Sequence, residues 1–158
     1  MSEAVFTLSI EVGKESIDRM EHVNNIEYLK WMEKAAIAHA EAHGWDFQPL
    51  KDRNLGWVAR EHWIEYLKPA FLGDKLLVHT WVQSAKHFST LRRYAVMRGG
   101  ELLAVGATEW VMVDFATRRP ARIPAELERD FTFLPADAPE LKALGINRMV
   151  RFAASPGL

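Results

Sequence analysis

The stretch from Asn25 to about His43 constrains this chain most, because it reads as one long helix with almost no polar side. Glu27, Lys30, Lys34 and Glu41 share a narrow stripe at spacings of three, four and seven. Ile26, Tyr28, Leu29, Trp31, Met32, Ile37 and a run of alanines take most of the remaining circumference. A helix apolar over so much of its surface is largely buried, so other elements must wrap it. Ala35, Ala36, Ala38, Ala40 and Ala42 would let a neighbouring backbone come close. Asn24, followed three residues later by Glu27, resembles a capping box with Asn as the cap, and Gly44 marks the stop.

The wrapping material is β-structure. Val5 to Val12 alternates, with Phe6, Leu8, Ile10 and Val12 on one face, as a half-buried strand does. After a loop containing Pro49 and Asn54, four more strands are expected at Trp57–Leu67, Lys75–Ser84, Phe88–Arg98 and Glu101–Phe115. Lys68-Pro69 with Gly73-Asp74 makes the first break, and Gly99-Gly100 predicts a tight hairpin. Trp, Arg, His and Glu occur on both faces of these strands. That pattern predicts a sheet with one face on the helix and the other partly covered by a second subunit. One strand, one long helix and then a meander is an α+β order, not a series of βαβ units. Ala125–Asp130 reads as a short helix. Residues 1–134 are expected to form a single domain, with 135–158 as its C-terminal arm.

Composition removes whole classes of chemistry. The chain has no cysteine, which excludes a disulfide framework, a thiolate metal site and a cysteine nucleophile. A net charge of −1 gives no electrostatic footprint for nucleic acid. Charged residues interrupt the N-terminal segment before a signal sequence could form, and no apolar run approaches the length of a membrane span. A cytoplasmic location is the resulting expectation. His39 and His43 stand one helical turn apart, a spacing that can chelate a metal, but no third ligand is evident and a helix-end role is the simpler reading.

The segment Asp18-Arg19-Met20-Glu21-His22-Val23-Asn24-Asn25-Ile26-Glu27-Tyr28-Leu29 resembles the signature of hot-dog-fold thioesterases. These include the 4-hydroxybenzoyl-CoA thioesterase-like enzymes and, more distantly, plant acyl-carrier-protein thioesterases. Tyr66 to Asp74 resembles the family's Pro-Ala…Gly-Asp turn, and Val113-Asp114 with Thr117-Arg118-Arg119-Pro120 is a third echo in consistent order. The resemblance implies an antiparallel sheet wrapped around one central helix, hydrolysis of an acyl-CoA thioester without a cofactor, and a homodimer or homotetramer. It places Asp18 at the catalytic carboxylate, the backbone N–H near Asn25 on the thioester carbonyl, and His22 as a group that orients water or steadies the site. Glu61 would help complete the site from a facing subunit, with Asn24, Arg119 and Arg122 as substrate contacts. Glu21 stands where many bacterial relatives have Gly, and Met20 where the plant enzymes have Asn.

Elementary chemistry supports the same grouping. Thioester hydrolysis needs a carboxylate to attack the carbonyl or activate water, and donors for the developing oxyanion. A carboxylate just before a buried helix meets the first need, and the unpaired first-turn amides meet the second. Two alternatives remain open here: an acyl-carrier-protein thioesterase, and a non-catalytic acyl-CoA-binding domain.

Overall fold

The computed structural model describes residues 4–148 and Val150. The long helix α1 spans Asn25–Ala42, close to its expected limits. The strands are β1 (Phe6–Glu11), β2 (Leu55–Tyr66), β3 (Lys75–Ala85), β4 (Ser89–Arg98) and β5 (Glu101–Asp114). They form one antiparallel sheet in the order β1-β3-β4-β5-β2. Strand β1 therefore joins beside β3, and β2 ends at the opposite edge.

Helix α1 lies across one face of this sheet. Tyr28, Trp31, Met32, Ala35 and Ala36 pack into a core with Leu76, Val78, Tyr94, Val96, Leu103 and Ala104. The close approach anticipated from the alanines is shared by a strand residue. A Cβ on Gly106 of β5 would sit 2.8 Å from the Met32 sulfur and 3.2 Å from the Trp63 carbonyl oxygen. The helix is less enclosed than its composition suggested, since Ile26 and Ile37 are 62% and 51% exposed. Both lie on the side of α1 that the sheet leaves open.

The other sheet face is covered in part by the chain itself. Trp81, Ala95 and Met97 point away from α1, and this chain's own Leu134, Ala138, Leu141 and Ile146 cover them. The C-terminal arm thus packs against the sheet over much of its described length, and it carries a helix not anticipated from the sequence, α4 (Pro139–Ala143). Met149 and residues 151–158 of that arm lie outside the described residues. One of the charged residues that broke the alternation, Arg93, is accommodated on this same face. The Arg93 guanidinium lies over the Trp81 ring at 5.3 Å and donates to Gln83 Oε1 at 2.9 Å.

Two further short helices frame the far end of α1. Helix α2 (Phe47–Asp52) occupies what the sequence suggested was loop; Pro49 falls in its first turn, where a missing N–H costs nothing. Helix α3 (Ala125–Asp130) forms where expected. Trp45, Leu50, Met112, Ile123 and Leu127 make a second cluster there. Among the described residues no helix is long and apolar enough to cross a membrane.

Candidate active site

The Asp18 loop is held almost entirely by backbone groups. Ile17 and Val23 face each other across an isolated antiparallel bridge. The Asp18 N–H donates to the His22 carbonyl at 2.8 Å, and the Glu21 N–H to the Asp18 carbonyl at 3.1 Å. The Asp18 Oδ1 accepts from the Met20 and His22 amides at 2.8 and 3.2 Å. One carboxylate oxygen is therefore fixed, while Oδ2 has no hydrogen-bond partner among the described residues. Glu21 closes the turn at φ 63°, the left-handed region that glycine enters without strain.

Helix α1 begins three residues beyond His22. The Asn24 side chain accepts from the Ile26 amide at 3.1 Å, as a cap should. The reciprocal half of the capping box is not made. The Asn24 N–H donates instead to the Ser16 carbonyl at 2.7 Å, and the Glu27 carboxylate accepts from the Ser16 hydroxyl and pairs with Lys30. Those contacts hold Glu27 below the usual carboxylate range, with Lys30 the largest cause and Ser16 next. The Asn25 N–H has no partner among the described residues, so it is a free donor at the positive end of the helix.

The turn after β2 braces this loop from outside. The Val23 N–H donates to the Ala70 carbonyl at 2.9 Å, and the Ala70 N–H to the Tyr28 hydroxyl at 3.0 Å. The His22 ring meets Phe71 edge-on at 5.5 Å. Arg98 fixes the turn by bonding Asp74 Oδ2 at 2.7 Å and the Pro69 carbonyl at 3.1 Å. Tyr66 donates its hydroxyl to the Asn25 carbonyl at 2.8 Å and packs edge-on against Tyr28. Burial raises the phenol pKa values of Tyr28 and Tyr66, which keeps both hydroxyls protonated. In the sequence the positioning residues Tyr66, Ala70 and Phe71 stand out only as part of a turn.

The remaining candidates are not brought to Asp18 within one protomer. Glu61 follows an irregularity in β2 and stands opposite Glu109. Its neighbour His62 bonds Thr108 and senses Glu33 of α1, so Glu61 faces away from the helix. Glu61 is also five residues from Tyr66, roughly 16 Å along an extended strand. Arg119 and Arg122 lie beyond Asp114, which pairs with Leu55 at the opposite end of β2. Arg119 sits in the turn closed by Asp114, and the Arg122 guanidinium bonds His87 Nδ1 at 2.7 Å.

At that far end α1, α2, α3 and the sheet enclose a cavity of about 350 Å³. Trp45, Phe47, Trp57, Trp110, Phe131 and Phe133 make its walls largely aromatic. The Trp45 indole donates to Asp130 Oδ2 at 2.7 Å, which ties α3 to the end of α1. Arg92 reaches the cavity from β4, bonding His39 Nδ1 at 2.9 Å and Thr80 Oγ1 at 3.1 Å. Burial and the neighbouring Arg92 charge push His39 down to about 3, so its ring is neutral and accepts from Arg92. Its partner is therefore a guanidinium rather than a helix terminus. No group of three or more His, Asp or Glu in a metal-binding arrangement occurs among the described residues.

A free carboxylate oxygen and a free helix-start amide in one braced loop coincide with a clear sequence match. Residues 3–131 match the acyl-ACP thioesterase N-terminal domain. The chain belongs to that family. The putative acyl-CoA thioesterase YneP of Bacillus subtilis is 28% identical over 112 residues, which are 70% of this chain and 81% of that relative. The acyl-CoA thioesterase YbgC of Haemophilus influenzae is 26% identical over 130 residues, covering 82% and 96%. The 1,4-dihydroxy-2-naphthoyl-CoA thioesterase Slr0204 from Synechocystis superposes with a TM-score of 0.74 over 80% of this chain and 94% of its own; at 20% identity that likeness concerns the fold. The fold is the hot-dog fold expected from the sequence.

Proposed function

We propose that this chain hydrolyses acyl-CoA thioesters, with Asp18 as the catalytic carboxylate and the Asn25 amide as an oxyanion donor. The observation that carries this reading is the pairing of an Asp18 oxygen left free for chemistry with an unpaired N–H at the start of α1. Asp18 either takes a proton from water as it attacks the carbonyl carbon or attacks that carbon itself, with water then releasing the acid. In both routes the C–S bond breaks, and the thiolate leaves and takes up a proton. Negative charge builds on the carbonyl oxygen, where an oriented amide and the helix dipole stabilise it. The test is thiol release over short, medium, long and aromatic acyl-CoAs, for the wild type and Asp18→Asn. Wild-type turnover by Asp18→Asn across the panel would remove Asp18 from the reaction.

The working unit is a homodimer formed through β2. This strand is paired on one side by β5, while Val58 and Tyr66 are 44% and 43% exposed at its edge. Long unpaired edges invite another strand. Antiparallel pairing of two β2 strands sets the Leu55 end of one protomer beside the Tyr66 end of the other. That arrangement carries the partner's Arg119 and the partner's Arg122 toward the Asp18 loop, where they serve coenzyme A phosphates, and it puts Glu61 close to the twofold axis. Light scattering at micromolar concentration tests it; a monomer refutes the shared site.

Acyl-carrier protein as the carrier is a second reading, favoured by the family matched over residues 3–131. The chain, however, spans only 38% of the Arabidopsis thaliana oleoyl-acyl carrier protein thioesterase 1 but 96% of the Haemophilus YbgC protein. Hydrolysis of one acyl chain presented on both carriers separates them.

A further inference from the structure

We infer that the aromatic cavity receives the far end of an acyl group that terminates in a carboxylate, and that Arg92 is the residue that selects it. The inference rests on the proposed thioesterase reading only for how the ligand is delivered; the cavity and its charge stand without it.

Arg92 is 7% exposed and lines the cavity, so what little of it is accessible opens on that space. Its hydrogen-bond partners among the described residues are both neutral: the His39 imidazole and the Thr80 hydroxyl. It forms no ion pair among the described residues. A guanidinium carries five N–H donors in a fixed fork, and the two hydrogen bonds seen here use one nitrogen. A buried cation without a counter-anion is costly, and it is retained where something else supplies the charge. A carboxylate entering the cavity would meet the remaining donors of the fork in the two-point geometry that arginine favours.

The other charged groups bordering the cavity are Glu33, Asp46 and Glu128, and all three are exposed at its mouth. Water and salt screen them, whereas Arg92 acts in a low-dielectric interior. Three acidic groups at the mouth also disfavour small free anions, so the carboxylate arrives on an apolar stem that the aromatic walls can hold. The helix supplies the distance: His39, which Arg92 bonds, is fourteen residues beyond Asn25, roughly 21 Å along α1. An acyl group bound with its thioester at Asn25 must span that length before its end meets Arg92.

The test uses hexadecanoyl-CoA and the CoA monothioester of hexadecanedioic acid, which differ only at the far end and are long enough to span that distance. Their affinities for full-length Asp18→Asn protein are read from tryptophan emission, because Trp45, Trp57 and Trp110 line the cavity. The carboxylate-ended thioester should bind about tenfold more tightly or better, as a charge-assisted pair allows. The preference should collapse when Arg92→Met is added. Where Arg92→Met does not fold, Arg92→Gln is read in the same way. Equal binding of the two thioesters, or a preference that persists in the folded Arg92 variant, overturns the inference. Failure of the wild type to release thiol while the Arg92-dependent preference holds would refute the proposed hydrolysis and leave the cavity assignment standing.

Discussion

The two ends of α1 solve different problems with different materials. At the N-terminal end, Asp18, His22, Asn24 and Asn25 are positioned by main-chain bonds and short capping contacts, and most of the loop is open to solvent. Around the C-terminal half, position is set by large side chains: the Phe6, His39, His43 and Phe131 rings in stacked and edge-on contact, and a buried arginine bonded to His39. Backbone donors are cheap to fix and insensitive to which side chains surround them. A cavity wall changes with every substitution. The first end suits a reaction common to many substrates, and the second suits discrimination between them.

The sharpest way to break this division is to remove the chemistry while sparing the scaffold. Asn at position 18 still offers an Oδ1 to the Met20 and His22 amides, so Asp18→Asn should keep the loop and the melting temperature. Thiol release should fall by about 100-fold or more, the scale of losing a positioned general base. A large drop in melting temperature instead would assign Asp18 to folding.

The second prediction acts on the other end. His39→Leu removes an acceptor from a buried guanidinium, which should cost about 1–3 kcal/mol in denaturant unfolding. Asp18-dependent turnover of short acyl-CoAs should change little, because those substrates do not reach the cavity. Loss of turnover with short substrates would mean that the two ends are coupled.

Much of this contrast was legible in the sequence at one end and illegible at the other. The strand limits, α1 and the Asp18 loop follow from alternation, capping and a local signature, all set by neighbours in the chain. The cavity is made by residues from Glu33 to Phe133, whose meeting depends on how α2 and α3 close over the sheet. Helix α2 was hidden because Pro49 reads as a breaker unless its place in the first turn is known. Arg92 and Arg93 look alike in sequence, yet the pleat sends one to His39 under α1 and the other to Trp81 on the opposite face. The chain's own cover over Trp81 was illegible because Pro135 and Pro139 interrupt that segment before any helical or strand period can build.

A third prediction follows from His39 itself. Its folded pKa, about 3, lies below the unfolded value near 6.5. The unfolded chain therefore binds the extra proton first, so stability is complete above pH 6.5 and declines as pH falls toward 3. Burial lowers His62 and His79 as well, which acts in the same direction. From His39 the loss between pH 7 and pH 5 is at most about 2 kcal/mol. Urea unfolding at the two pH values checks it, and His39→Gln should flatten the difference. An unchanged slope in that variant would locate the pH dependence elsewhere.

The smallest effect belongs to Glu21, and it tests how far the N-terminal end depends on backbone alone. At φ 63° a non-glycine residue carries strain that glycine would not. Glu21→Gly relieves that strain but gives the unfolded chain more freedom, so the net gain should be below about 1 kcal/mol. Turnover should stay within a factor of two of wild type, since the Glu21 contact that shapes the loop is its N–H to the Asp18 carbonyl. A β-branched residue cannot relax into the same region without cost, and Glu21→Val should lower both stability and turnover. If Glu21→Gly lost activity while remaining folded, the side chain itself would belong to the site, and the loop's independence from its side chains would be wrong.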